Sequence, residues 1–216
     1  MHHIKNVMRN NIGDLIECVY EEELYICKIN DLTNKEVEIV EKKDSNNELE
    51  LDVTIAIALV KEQKMDLILQ KATELGVDVI MPTIMSRSIV KLDGEKENKK
   101  IERWQKICKE ASEQSKRLDI PLVTKISKFE DLKSLDGVKL TCSTSEKSQN
   151  LKNYLKKLEN YDRIILVIGP EGGLSKEEEQ YLKEIDFTSI SLGNRIMRVE
   201  TVPLFLLSVF NYESME

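Results

Sequence analysis

The chain has no apolar run near the roughly 18 residues that a membrane span needs. Its longest apolar runs, such as residues 164–168, have strand length. The opening MHHIKNVMRN lacks the apolar centre of a signal peptide. Cys18, Cys27, Cys108 and Cys142 form no CxxC pair and stand near no histidine, which argues against a zinc site and a disulfide framework. An excess of positive charge is missing as well. Thirty-nine acids against 32 Lys and Arg give −7, the wrong sign for a protein that coats nucleic acid by bulk electrostatics. There is no internal repeat and no low-complexity tract. What is left is 216 residues, 41% hydrophobic, enough for a sizeable core. The expectation is a soluble, cytoplasmic protein with reduced thiols.

The charge is unevenly spread. Residues 87–128 carry twelve basic and seven acidic side chains, whereas 36–52 and 171–186 are strongly acidic. Such segregation ordinarily marks solvated faces, but a basic band on an acidic protein leaves room for local RNA contact.

Segments 14–20, 23–29 and 36–41 mix β-branched, aromatic and polar residues with partial alternation and read as short strands of a small antiparallel sheet or partial barrel. After about residue 50 the pattern changes. VTIAIALV at 53–60 is a continuous apolar run, as expected of a strand covered on both faces. Met65, Ile68, Ala72 and Leu75 follow at helical spacing, with Gly76 as a C-terminal cap. Residues 79–84 form a second strand, which Pro82 places at an edge or an irregular end. Ile101, Trp104, Cys108, Ala111 and Leu118 share one stripe of a long helix with lysines opposite, so Trp104 reads as core. Further strands are expected at 138–142, 164–168 and 188–192, with helices near 148–159 and 175–185 and an apolar helix at 202–212. Strands alternating with helices mean a mostly parallel α/β sheet.

Two segments stand out chemically. In 163–179, RIILVIGPEGGLSKEEE, an apolar strand enters a glycine turn and then a helix opened by a capping box of Ser175 and Glu178. A strand, glycine turn and helix start at the carboxyl edge of a parallel sheet is the usual place for a ligand crevice. It is neither a Walker loop nor GxGxxG; the bland alternative is a tight turn that needs glycine. In 191–201, SLGNRIMRVET, a strand ends in Leu192-Gly193, the turn carries Arg195 and Arg198, and Thr201 stands as N-cap of the last helix. Surface ion pairing and helix capping explain this stretch equally well from sequence.

These two segments, together with HHIKNVMR and Gly13-Asp14, KMDLILQKATELG at 64–76, MSRSIVK at 85–91 and RWQKICKEASEQSKR at 103–117, occur in an order that resembles the SPOUT (trefoil-knot) methyltransferases. Within that superfamily the likeness is to the RsmE-type family, which methylates N3 of a uridine in small-subunit ribosomal RNA. The resemblance covers essentially the whole chain. It implies a PUA-like RNA-binding β domain over 1–49 and, over 50–216, a knotted parallel α/β domain that binds S-adenosylmethionine and forms a homodimer. In the family the HHIKNVMR-like segment is preceded by further residues, so the barrel is expected to lack its first part. Val202 stands where the family usually has alanine.

The resemblance also implies roles for particular residues. Ile168, Gly169, Glu171 and Gly172 of the first turn, and Leu192, Gly193, Ile196, Met197, Arg198 and Thr201 of the second, would hold the cofactor, mostly through backbone and apolar contact. His3, Lys5, Arg9, Arg87, Lys91, Lys116 and Arg117 would meet RNA. Uracil N3 carries a proton lost only well above neutral pH, so an enzyme must remove it and stabilise the charge that spreads onto O2 and O4. Arg198 is the candidate donor, Arg87 a weaker one, and Glu200 the candidate base or the orienter of the arginine. A sulfonium supplies the electrophile, so this chemistry calls for no metal. Rival readings are a SPOUT enzyme acting on tRNA or a ribose 2′-hydroxyl, and a non-catalytic RNA-binding protein of the same fold.

Overall fold

The computed structural model describes residues 10–44, 49–88, 90, 94–158 and 161–214. The chain divides into two units, one of Met1–Glu48 with Lys116–Asp119 and the other of Leu49–Ser115 with Ile120–Glu216.

In the first unit, β1 (Leu15–Tyr20), β2 (Glu23–Asp31) and β3 (Glu36–Lys43) form an antiparallel meander in the order β1-β2-β3. Tyr20 pairs with Glu23, so only Glu21 and Glu22 make the first turn, with φ of 49° and 60°. Two positive φ values are what a tight hairpin of right-handed twist demands, here met without glycine. The second turn is organised by Asp31, whose carboxylate accepts from Thr33 N and Asn34 N. The short segment Lys116–Asp119 belongs to this unit, although no sequence pattern assigns it there.

The second unit contains β4 (Asp52–Ala58), α1 (Glu62–Glu74), β5 (Val79–Ile84), α2 (Gly94–Ser115), β6 (Leu122–Val123), β7 (Ser127–Lys128), β8 (Val138–Cys142), α3 (Leu151–Leu155), β9 (Arg163–Ile168), α4 (Lys176–Glu184), β10 (Thr188–Ile190) and α5 (Thr201–Glu213). A 3-10 helix at Phe129–Ser134 follows β7. The strands form one parallel sheet in the order β10-β8-β9-β4-β5-β6, with β7 also pairing β5. β4 lies in its interior and is buried on both sides. Val53, Ile55 and Ile57 enter the core that α1, α2 and α5 cover, while Ala56 and Ala58 enter a second core with Phe129, Leu132 and Leu182. That double burial is why VTIAIALV reads as an unbroken apolar run.

Pro82 has no N–H to donate. It falls between β6, which pairs Val79 and Ile80, and β7, which pairs Thr83 and Ile84. The irregularity expected of this proline is therefore a break in the strand's outer neighbour. Gly76 follows the last turn of α1 with φ +89°, a conformation that favours glycine. Three expectations need correction. α2 stops at Ser115, and Lys116 takes φ +61°, so Leu118 does not extend the helical stripe. α3 is shorter than 148–159 because Asn150 caps it, its side chain accepting from Asn153 N. Thr201 is not the N-cap of α5: Glu200 occupies that position with helical φ −70° and ψ −24° and makes no side-chain capping bond.

Candidate functional site

Parallel strands deliver their carboxyl ends to one edge of the sheet, and four of the segments that leave it there concern the site. β4 leads through residues 59–61 into α1, β5 into 85–88, β9 into 169–174, and β10 into 191–200. Neighbouring segments depart on opposite sides of β4, the arrangement that opens a crevice at such an edge.

The turn after β9 is closed by Gly173 N donating to Pro170 O at 2.8 Å. Gly173 has φ +71°. Gly169 is forced to be small for another reason: a Cβ there would lie 3.1 Å from Leu174 Cγ and 3.2 Å from Leu174 N. Arg87 pins the same turn, its Nη1 donating to Gly172 O at 2.7 Å and Leu174 O at 3.0 Å. Ser86 ties the neighbouring loop to α4, with its N and Oγ both donating to the Glu178 carboxylate. The capping box read from the sequence is present: Glu178 N donates to Ser175 Oγ and Ser175 N to Glu178 Oε2. Arg87 is thus brought to the glycine turn as a clamp on its carbonyls, with Nη1 already occupied.

The turn after β10 is more open. Gly193 has φ +110°, and no atom stands within 4 Å of where its Cβ would be. Ile196 is 84% exposed, an unusual place for a large apolar side chain. Leu192 and Met197 are half-buried, whereas Val199 is buried and anchors the turn to the core. Arg195 and Arg198 are exposed and form no ion pair among the described residues. Thr201 N and Val202 N both donate to Arg198 O, which winds the chain into α5. Thr201 is the first residue of that helix, and its exposed side chain is not used for capping.

Lys64, on the first turn of α1, joins the two turns. Its Nζ lies 2.8 Å from Glu171 Oε1 and 3.2 Å from Glu200 Oε2. The ammonium beside Glu171 holds that carboxyl below the usual glutamate range, and the same contact, supported by Glu200, raises Lys64. Glu200 Oε2 is buried and accepts no hydrogen bond of good geometry among the described residues, so Lys64 is its ionic partner. Lys64 has no site role in the sequence reading. The available signal was its position: a cation in the first turn of a helix opposes the helix dipole and asks for a compensating anion.

The RNA-contact candidates are less gathered. His3, Lys5, Arg9 and Lys91 lie outside the described residues. Lys116 is exposed and pairs with Glu17 at 3.0 Å. Arg117 does not lie on an open basic face: its side chain is 3% exposed and bound to Asp119 at 2.6 Å. A guanidinium buried against a carboxylate is not presented to phosphate. Trp104 is 3% exposed and belongs to the core.

The two turns offer backbone polar groups, the uncovered Gly193 and the exposed apolar Ile196, which suits a ligand with a flat apolar ring and polar arms. Those features fit an adenosine-bearing cofactor. No group of His, Cys, Asp and Glu able to hold a metal occurs among the described residues.

Comparison with known proteins agrees with this geometry. A family model described as an RNA methyltransferase domain matches residues 47–211, and one described as an RNA methyltransferase PUA domain matches residues 1–42. Ribosomal RNA small subunit methyltransferase E of Bacillus subtilis is 38% identical, over 99% of this chain and 88% of its own length. Ribosomal RNA small subunit methyltransferase E from Neisseria gonorrhoeae, solved bound to S-adenosylmethionine, is 30% identical with a TM-score of 0.88, over 98% of this chain and 88% of that one. A Legionella pneumophila methyltransferase in complex with the same cofactor gives the same identity, TM-score and coverage.

Proposed function

Because the chain belongs to the RNA methyltransferase family that includes ribosomal RNA small subunit methyltransferase E, we propose that it transfers a methyl group from S-adenosylmethionine to N3 of a uridine in small-subunit ribosomal RNA. The observation that carries this reading is the meeting of the glycine turn after β9 and the arginine turn after β10 at one sheet edge, joined through Lys64.

S-adenosylmethionine, when bound, supplies an electrophilic methyl group. The chain's residues do the rest. Backbone groups at Ile168, Gly169, Gly172 and Gly193 form the cradle, while Leu192, Ile196 and Met197 give apolar cover. Arg198 is exposed and has no ion pair among the described residues, and it would donate to the uracil oxygens as negative charge grows there. Glu200, a carboxylate whose side chain is 15% exposed and paired with Lys64, would accept the N3 proton. Glu171, on the same turn and paired with Lys64, is a further candidate to meet the cofactor. A uridine engaged in a duplex hides N3, so the target is expected single-stranded or flipped out.

The partners that follow are small-subunit ribosomal RNA, naked or in an assembled subunit, and a second copy of the chain. A homodimer is supported by a groove of about 480 Å³ beside α5, lined by Leu151, Leu155, Phe205, Val209 and Tyr212. No helix among the described residues is long and apolar enough to cross a membrane, and the cytoplasm, where subunits mature, is the proposed location. The test is mass spectrometry of small-subunit ribosomal RNA from cells with and without the gene. Loss of one N3-methyluridine is expected; an unchanged RNA, or loss of a methyl from tRNA or a ribose, overturns the assignment.

A further inference from the structure

Lys64 is a residue that the chemistry above does not require and the geometry does not leave idle. It stands in the first turn of α1, where Lys61 and Lys64 both place positive charge at the positive end of the helix dipole. The N-cap, Lys61, makes no side-chain capping bond. Glu62 is the acid of this first turn, so the two lysines do not serve the helix dipole. The positioning of Lys64 is therefore bound up with its partners, Glu171 on the turn after β9 and Glu200 at the start of α5.

The two contacts are unequal. Toward Glu171 the ammonium makes a hydrogen-bonded pair at 2.8 Å; toward Glu200 it makes an ion pair at 3.2 Å to an oxygen with no hydrogen bond. Glu200 is thus held at Oε2 by charge rather than by a directed hydrogen bond. The side chain of Glu200 is only 15% exposed and that of Lys64 28%, so water screens this attraction less than at an open surface. The charged groups around the carboxylate are Lys64, Glu171 across the same ammonium, Lys61 acting on Glu171, and the neighbouring exposed Arg198.

We propose that Lys64 is a positioning residue for methyl transfer, fixing the Glu200 carboxylate relative to the cofactor turn by bridging it to Glu171. This rests on the assignment of Glu200 as the base. Lys64 acts through Glu200 and touches neither substrate nor cofactor. Its removal leaves two carboxylates near one another with no cation between them, so Glu200 loses its fixed orientation while the cradle for the cofactor is kept.

The experiment is a double-mutant cycle in the full chain, with Lys64→Met, Glu200→Gln and the double variant, followed as kcat, KM for RNA and calorimetric Kd for S-adenosylmethionine. Lys64→Arg serves as rescue and Lys64→Gln as the substitute should Lys64→Met fold poorly. The expected result is a fall in kcat of about 10-fold or more for Lys64→Met, with cofactor Kd within about 3-fold. The double variant should be no slower than Glu200→Gln, and Lys64→Arg should recover most of the rate. Wild-type kcat in Lys64→Met and Lys64→Gln, while Glu200→Gln is slow, overturns the proposal alone. So does a double variant in which the two losses multiply, since Lys64 then works independently. Wild-type turnover in Glu200→Gln overturns instead the base assignment on which the proposal stands.

Discussion

Ser86 and Glu178 meet through two hydrogen bonds, Ser86 N to Oε1 at 2.7 Å and Ser86 Oγ to Oε2 at 2.9 Å. One carboxylate, 8% exposed, therefore closes the start of α4 and fixes the loop that carries Arg87 against the glycine turn.

Replacing Glu178 by Gln removes half of this acceptor set and replaces it with donors facing donors. Leaving a buried N–H without an acceptor costs about 1–3 kcal/mol. Urea unfolding of Glu178→Gln should show a loss on that scale, and calorimetry should show weaker S-adenosylmethionine binding, because the loop with Arg87 no longer holds its position. Undiminished stability would mean that the loop and α4 are fixed by packing alone.

The glycines of the two turns should separate strain from access. Gly193 and Gly173 have φ of +110° and +71°, so alanine at either is strained by an amount of order 1 kcal/mol or more. Gly172 has no such backbone demand, and a Cβ there would sit 3.4 Å from Arg87 Cδ, an ordinary contact. Gly172→Ala should therefore fold normally. Gly172→Val, whose branches cover the turn, should fold but abolish cofactor binding by calorimetry. Wild-type affinity in a folded Gly172→Val protein would move the cofactor away from this turn.

The sequence carried the central strands and the two turns because each is a local pattern. Residues 79–84 and 138–142 match β5 and β8 residue for residue, since their bounds are set by apolar runs and turn formers. The Ser175 and Glu178 capping box is four residues long and equally readable. β6 and β7 escaped because two-residue strands have no period to detect. Lys64 escaped as a site residue because its partners are distant in the chain, Glu171 lying 107 residues away. Arg117 differs: its partner Asp119 is only two residues on, but the burial of its side chain comes from the fold and has no pattern in the sequence.

Thiol chemistry offers an independent check on the packing. Cys27 and Cys108 are buried, burial pushes the Cys142 thiol up to about 12, and burial with the neighbouring Cys27 pushes Cys18 up to about 11. Since the thiolate is the reactive form, Cys18 and Cys142 should react far more slowly than a free thiol at pH 8 in the native protein, and burial shields Cys27 and Cys108 from reagent. All four should titrate at once in guanidinium. A fast-reacting Cys142 in the native state would show that the end of β8 is open to solvent.

The pair between Lys64 and Glu171 predicts a pH signature with a definite sign. Glu171 titrates below the usual glutamate range when folded, so its contribution is complete above the unfolded value and lost as pH falls through the folded one. Lys64 is raised, so its part persists until strongly alkaline pH. The bridge should hold across the neutral range and dissolve in acid, through Glu171, or at strongly alkaline pH, through Lys64. Carboxyl NMR should place the Glu171 midpoint low in the wild type and higher in Lys64→Met. An unmoved midpoint would mean that the ion pair does not form in solution.

Arg198 and Glu200 separate binding from chemistry. Arg198 is exposed and without an ion pair among the described residues, while Glu200 is half-buried and paired with Lys64. Neither fills the core, so Arg198→Ala and Glu200→Gln should fold and bind S-adenosylmethionine nearly normally. Each should lose methyl transfer by about 100-fold or more, the scale of removing one catalytic donor or base. The two losses should differ in pH dependence. Without its base, Glu200→Gln should recover rate as pH climbs toward the value at which uracil N3 ionises by itself. Arg198→Ala should recover less, because an ionised uracil still lacks the donor that stabilises charge on its oxygens. Equal recovery in both variants would assign proton removal to solvent and leave Glu200 a structural partner of Lys64. Wild-type turnover in both would shift the chemistry to Arg87, whose Nη1 is committed to the glycine turn but whose guanidinium borders it.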